Sequence, residues 1–137
     1  MLSAPDIVAL LRENETFASA KASVLQQMAA GMEEHEVEAE TVLIEQGIRC
    51  GSVFLVTEGT FGVYIDDETV PVAELERGRV FGEIGAVSGI EATATVKAIT
   101  AGQVLEIPGK VLHQAMRDCH ALAESLLRSL SRYLGRR

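Results

Sequence analysis

A mainly β domain with flanking helices, an eight-stranded antiparallel jelly roll (double-stranded β-helix), is the fold class this sequence predicts. Three observations carry the prediction. From Glu36 to Pro108 the hydrophobic residues recur with a period of two, as on strands with one buried face. Turn signals at Glu45-Gln46-Gly47, Glu58-Gly59 and Asp66-Asp67 cut that run into about eight short strands. Helical spacing occurs only before and after it, whereas a parallel α/β sheet would need helices between its strands.

Taken in order, Pro5 to Glu13 carries Ile7, Leu10 and Leu11 at helical spacing, with Ser3 and Asp6 placed as a capping box. A second helix is expected over about Lys21 to Met32, with Val24, Leu25, Met28, Ala29 and Met32 on one face and Gly31 near its end. The strands then follow: Val37; Val42 and Ile44; Val53 and Leu55; Phe61, Val63 and Ile65; Val70 to Leu75; and Val96 to Ile107. Pro108 suits the first turn of a helix, so Gly109 to Asp118 and His120 to Arg136 read as helices. One domain over residues 1–137 is expected, with N-terminal helices over 1–35, a β-roll over 36–108 and C-terminal helices over 109–137.

The last helix carries two apolar lines. Ala123, Leu127, Leu130 and Leu134 alternate four- and three-residue steps, the seam of a coiled coil, while Leu122, Leu126 and Tyr133 lie beside them. One line can pack on the domain, and the other is expected to form a homodimer interface. Arg128, Arg132 and Arg136 read as a solvated face whose charge suits a helix C-terminus.

Composition narrows the function. A hydrophobic fraction of 47% with 4% aromatic residues describes a globular chain with an aliphatic core. Twenty acidic against twelve basic residues give a net charge of −8, which repels nucleic acid and anionic membranes. No nucleic-acid or membrane partner is expected, and the absence of a signal-peptide pattern or a long apolar run points to a cytoplasmic protein. Cys50 and Cys119 read as free thiols, the second buried. His35, His113 and His120 lie outside the central strands and are not paired as metal ligands, so no metal or other cofactor is expected. No P-loop, nucleophile triad or carboxylate pair suggests an enzyme.

The chemistry-bearing stretch runs from Val80 to Ala98, VFGEIGAVSGIEATATVKA. Gly82 before a short helical turn lets backbone N–H groups approach an anion, and Thr93 to Val96 reads as a strand returning to the sheet. This segment resembles the phosphate-binding cassette of the cyclic-nucleotide-binding domain family, whose usual form is Phe-Gly-Glu, small or apolar residues, a loop, then Arg, a small residue, Ala, Thr or Ser, and Val. Val42 to Gly47 and Gly51 to Gly59 are similar to earlier hairpins of that family, so the resemblance covers nearly the whole chain.

The resemblance implies a regulatory or signalling domain, like the sensor part of a cyclic-nucleotide-responsive regulator without its DNA-binding part. It implies that Glu83 accepts a hydrogen bond from a ribose 2′-hydroxyl, that Gly82 and Gly85 form the phosphate cradle, with Ile84 between them also ligand-binding, and that Val63, Val72, Ala73 and Leu75 line the purine pocket as inward-facing residues. Thr93 falls where the family contacts guanine. A carboxylate at position 83 can equally cap a helix, and Thr93 can equally be a β-branched residue entering a strand. Ala92 stands where the family places its arginine. An arginine holds phosphate through two charge-assisted bonds, and losing one such partner costs about 2–5 kcal/mol. Arg77, Arg79 and Lys97 are the nearby cations that could substitute. Two readings stay open: a sensor that binds cAMP, cGMP or a related small ligand weakly or in an altered way, or a non-binding relative acting as a protein-interaction and homodimerisation module. In both, output passes to an unidentified signalling partner or through the dimer.

Overall fold

The structure, a computed structural model, describes the backbone of residues 2–135 and the side chains of residues 2–132. Helix α1 (Ala4–Arg12) starts on the expected capping box: the Asp6 backbone N–H donates to Ser3 Oγ at 3.3 Å and the Ser3 N–H donates to Asp6 Oδ2 at 3.3 Å. Ile7, Leu10 and Leu11 form its buried face. Helix α2 (Ala22–Ala30) buries Val24, Leu25, Met28 and Ala29 and ends at Ala30, two residues short of the expected end, with Gly31 as its cap.

Eight strands follow: β1 (Glu33–Val37), β2 (Val42–Ile44), β3 (Val53–Glu58), β4 (Phe61–Tyr64), β5 (Ala73–Leu75), β6 (Val80–Phe81), β7 (Thr95–Ala98) and β8 (Gly102–Ile107). A short helix, α3 (Glu83–Ser88), interrupts them after β6, and α4 (Gly109–Asp118) and α5 (His120–Gly135) close the chain. The strands pair antiparallel into two four-stranded sheets, ordered β1-β8-β3-β6 and β2-β7-β4-β5, with no closed barrel. The predicted fold class therefore holds.

The two sheets face each other across a core of Ile44, Phe54, Val56, Phe61, Leu75, Phe81, Val96, Ala98 and Val104. The Phe54 and Phe81 rings stack there with centroids 5.2 Å apart. A second core joins the helices to the outer face of the first sheet through Val53, Leu55, Leu105 and Ile107. Strand β3 is thus buried on both faces, which explains its unbroken apolar run Val53-Phe54-Leu55-Val56. Each such buried side chain stabilises the fold by about 1.5–3 kcal/mol relative to exposure.

Two strand expectations shift. The β-roll begins at Glu33 rather than residue 36, because Glu-Glu-His-Glu carries no apolar alternation to announce a strand. This segment is an edge strand, held by its ladder to β8, and its charges blunt the open edge. His35 therefore lies in a strand. Strand β5, expected from Val70, starts only at Ala73, and Val70 is 71% exposed.

The last two helices fall where expected, α5 ending at Gly135 with Arg136 outside the described residues. Leu122 and Leu126 are fully buried against the helical core. Cys119 is buried and, like Cys50, a free thiol. Among the described residues, no helix is long and apolar enough to cross a membrane.

Candidate functional site

Strand β6 delivers the chain from the inter-sheet core into a left-handed turn at Gly82, φ 89°, which caps helix α3. A side chain there would be strained, and its Cβ would lie 2.8 Å from the Ser52 carbonyl oxygen. The backbone of β3's leading loop thus packs directly against the turn. Helix α3 ends at a second left-handed glycine, Gly89, whose N–H donates to the Gly85 carbonyl at 2.8 Å. The returning loop is pinned on both sides of Ala92: the Gly47 N–H donates to Ala92 O at 2.8 Å, and the Ala92 N–H donates to Ile48 O at 3.0 Å. One residue earlier, Arg49 and Glu91 form an isolated antiparallel bridge.

These segments enclose a cleft of about 230 Å³. Val63, Gly82, Glu83, Ile84, Gly85, Ala92 and Thr93 all line it, so the structure gathers most of the residues singled out from the sequence around one space. Val72 and Ala73 do not line it. Both are exposed, Val72 by 60%, which corrects the expectation that they face inward. The reason is the late start of β5: Val72 precedes the strand on the edge of its sheet, and only Leu75 reaches the inter-sheet core.

Ile44, Cys50, Phe81, Ile90, Glu91, Ala94 and Val96 complete the lining. Strand alternation around β2 and β7 carried a signal for Ile44 and Val96. Nothing local announced Cys50, which arrives from the loop before β3.

Glu83 is the chemically distinctive side chain. Burial raises its carboxyl from 4.5 to about 7, against the opposing effects of a hydrogen bond with its own backbone N–H and the charge of Arg79. No lysine, arginine or histidine among the described residues lines the cleft. Arg77 donates instead to the Thr57 carbonyl at 3.0 Å. Lys97 pairs with Glu40 at 3.0 Å and sits 4.9 Å from the Tyr64 ring centroid. Neither stands in for the missing arginine.

On α5, Ala123 and Leu130 are half-buried and Leu127 is 61% exposed, while the Leu134 side chain lies outside the described residues. Arg128 approaches Glu124 at 3.8 Å and Arg132 approaches Glu15 at 3.9 Å. Elsewhere, Glu33, His35 and Glu106 bring three donor atoms within 4.8 Å of one another, a cluster the sequence did not suggest. His35 Nε2 lies 2.8 Å from one Glu106 oxygen, and Ser52 Oγ donates to the other at 2.6 Å.

Three comparisons bear on this geometry. The regulatory domain of Toxoplasma gondii PKA, solved with cAMP, shares 24% identity over 82% of this chain and 44% of that one, with a TM-score of 0.76. The sensor domain of the transcriptional regulator DNR from Pseudomonas aeruginosa matches at 20% identity over 93% and 92% of the two chains, TM-score 0.76. A putative cyclic nucleotide-binding protein from Geobacter metallireducens matches at 21% identity over 100% and 98%, TM-score 0.75. These similarities establish the fold. Among curated proteins, uncharacterized NTE family proteins of Mycobacterium tuberculosis and Mycobacterium bovis are 27% identical over 110 residues, or 80% of this chain. The chain spans 19% of the length of those relatives. The family description "Cyclic nucleotide-binding domain" matches residues 34–119, more than half of the sequence and the whole of the cleft. The chain belongs to the cyclic nucleotide-binding domain family.

Proposed function

We propose that residues 1–137 act as one non-catalytic, ligand-sensing regulatory module, placed in the cytoplasm, that takes cAMP, cGMP or a related small ligand weakly or in an altered way. The cleft carries this reading: a left-handed glycine, a half-buried glutamate and a short helix converge on one space beside apolar strand residues. In this role Glu83 accepts a hydroxyl hydrogen bond, Ile84 and Gly85 present backbone to the ligand, and Val63 with Thr93 contacts its body. Ala92 removes the countercharge that would make an anionic ligand bind tightly.

The C-terminal helix is the output element. Leu127 exposes an apolar side chain beside half-buried Ala123 and Leu130, which supports a homodimer seam or a surface for a signalling partner. This observation also favours the second reading, a non-binding interaction module.

Calorimetric titration with cAMP, cGMP and a cyclic dinucleotide, on the native chain and on Ala92→Arg, separates the two. The sensing reading expects weak binding by the native chain and a gain of about 30- to several-thousand-fold with Ala92→Arg. Binding by Ala92→Arg alone would leave the interaction module as the function.

A further inference from the structure

We infer that the cleft is selective for an uncharged ligand, one with an apolar body and a hydroxyl or N–H donor for Glu83, and that it discriminates against anionic phosphates. The inference rests on the sensing reading above and names the ligand class of that same site.

Charge is the first argument. The charged side chains of the lining are Glu83 and Glu91, both acidic. Bringing a phosphate beside exposed Glu91 and half-buried Glu83 adds an anion to a cleft whose lining offers no cation to balance it.

The second argument concerns donors. An anion without a cationic partner needs free N–H groups, and two beside this cleft are already used. The Ala92 N–H is donated to Ile48 O at 3.0 Å, and the Ala86 N–H to Gly82 O at 3.1 Å. Residue 92 is held on both sides, so its N–H cannot turn toward a ligand without leaving the Ile48 carbonyl. Two of the three candidate cations are held elsewhere, Arg77 on Thr57 and Lys97 on Glu40, and Arg79, whose charge reaches Glu83, does not line the cleft.

Third, the burial that lifts the Glu83 carboxyl toward neutrality opposes any other unpaired charge in the same space. A carboxyl titrating near neutral pH both donates and accepts hydrogen bonds, which suits a hydroxyl or amide better than a phosphate. The volume of about 230 Å³ lies below that of pockets for drug-sized ligands, about 300–1,000 Å³, so the ligand is small.

The test uses matched probes that differ in the phosphate: adenosine against cAMP, and guanosine against cGMP, titrated into the full chain at low salt. The expected result is that the nucleoside of at least one pair binds at least about tenfold more tightly than its cyclic nucleotide. In Ala92→Arg that order should reverse. Binding of both cAMP and cGMP by the native chain as tightly as, or more tightly than, the matching nucleosides would overturn the inference and leave the sensing reading standing. No binding of any probe to the native chain would remove both.

Discussion

His113 Nε2 lies 2.9 Å from the carbonyl oxygen of Ala86, joining helix α4 to the short helix that floors the cleft. Leu112, one residue earlier, and Ala86 share the same hydrophobic core. The cleft is therefore coupled to the C-terminal helices by a polar contact as well as by packing. Replacing His113 with Ala should lower stability by about 1 kcal/mol, the usual value of one such hydrogen bond. A thermal melt should show a midpoint about 2–8 °C lower. An unchanged midpoint would mean that the contact carries no net energy.

Gly82 holds a conformation that a side chain resists, and a Cβ there would press on the Ser52 carbonyl. Gly82→Ala should cost about 1–3 kcal/mol in urea unfolding. Gly51 supplies the control: its Cβ would meet nothing within 4 Å, so Gly51→Ala should leave the midpoint within about 0.5 kcal/mol of native. Equal effects at the two positions would contradict the packing described for the turn.

The raised carboxyl of Glu83 makes stability depend on pH. The unfolded chain ionises this group at about 4.5 and the folded chain at about 7, so the folded state binds more protons between those values. Stability should fall as pH rises through that window, by up to about 3 kcal/mol. Glu83→Gln cannot ionise, and its stability relative to native should therefore increase from pH 4.5 to pH 8. Urea midpoints for the two proteins that run parallel across this range would rule the effect out.

The two apolar lines of α5 should respond differently. Leu126 is 1% exposed, and Leu126→Ala should destabilise by about 2–5 kcal/mol. Leu127→Glu should leave the melting point near native and shift sedimentation toward monomer. A native chain that sediments as a monomer at high micromolar concentration would exclude a dimer through this helix.

Much of the fold was legible because its signals are local. Ser3 and Asp6 announce α1, Pro108 precedes α4, and the period of two marks the β-roll. Strand β1 was legible only from Val37, since an edge strand of glutamates is defined by its ladder partners in β8, far along the chain. Phe54 and Val56 were hidden for a related reason: a strand covered on both faces has no alternation to read. In the site, Gly82, Glu83, Gly85, Ala92 and Thr93 stand close in sequence and were found together. Val72 and Ala73 were misplaced because their facing depends on where β5 begins, which turn chemistry decides and side-chain type does not.

The central claim is that the space bounded by Gly82, Glu83, Gly85 and Thr93 receives a small ligand. Amide chemical-shift mapping by nuclear magnetic resonance tests it most directly, with adenosine, guanosine, cAMP and cGMP each added in excess to labelled protein. The account predicts saturable shifts at these four residues, carried through Ala86 to His113, with the exposed arm around Val70 unmoved. Saturable shifts confined to other surfaces, or none with any of the four ligands, would contradict it.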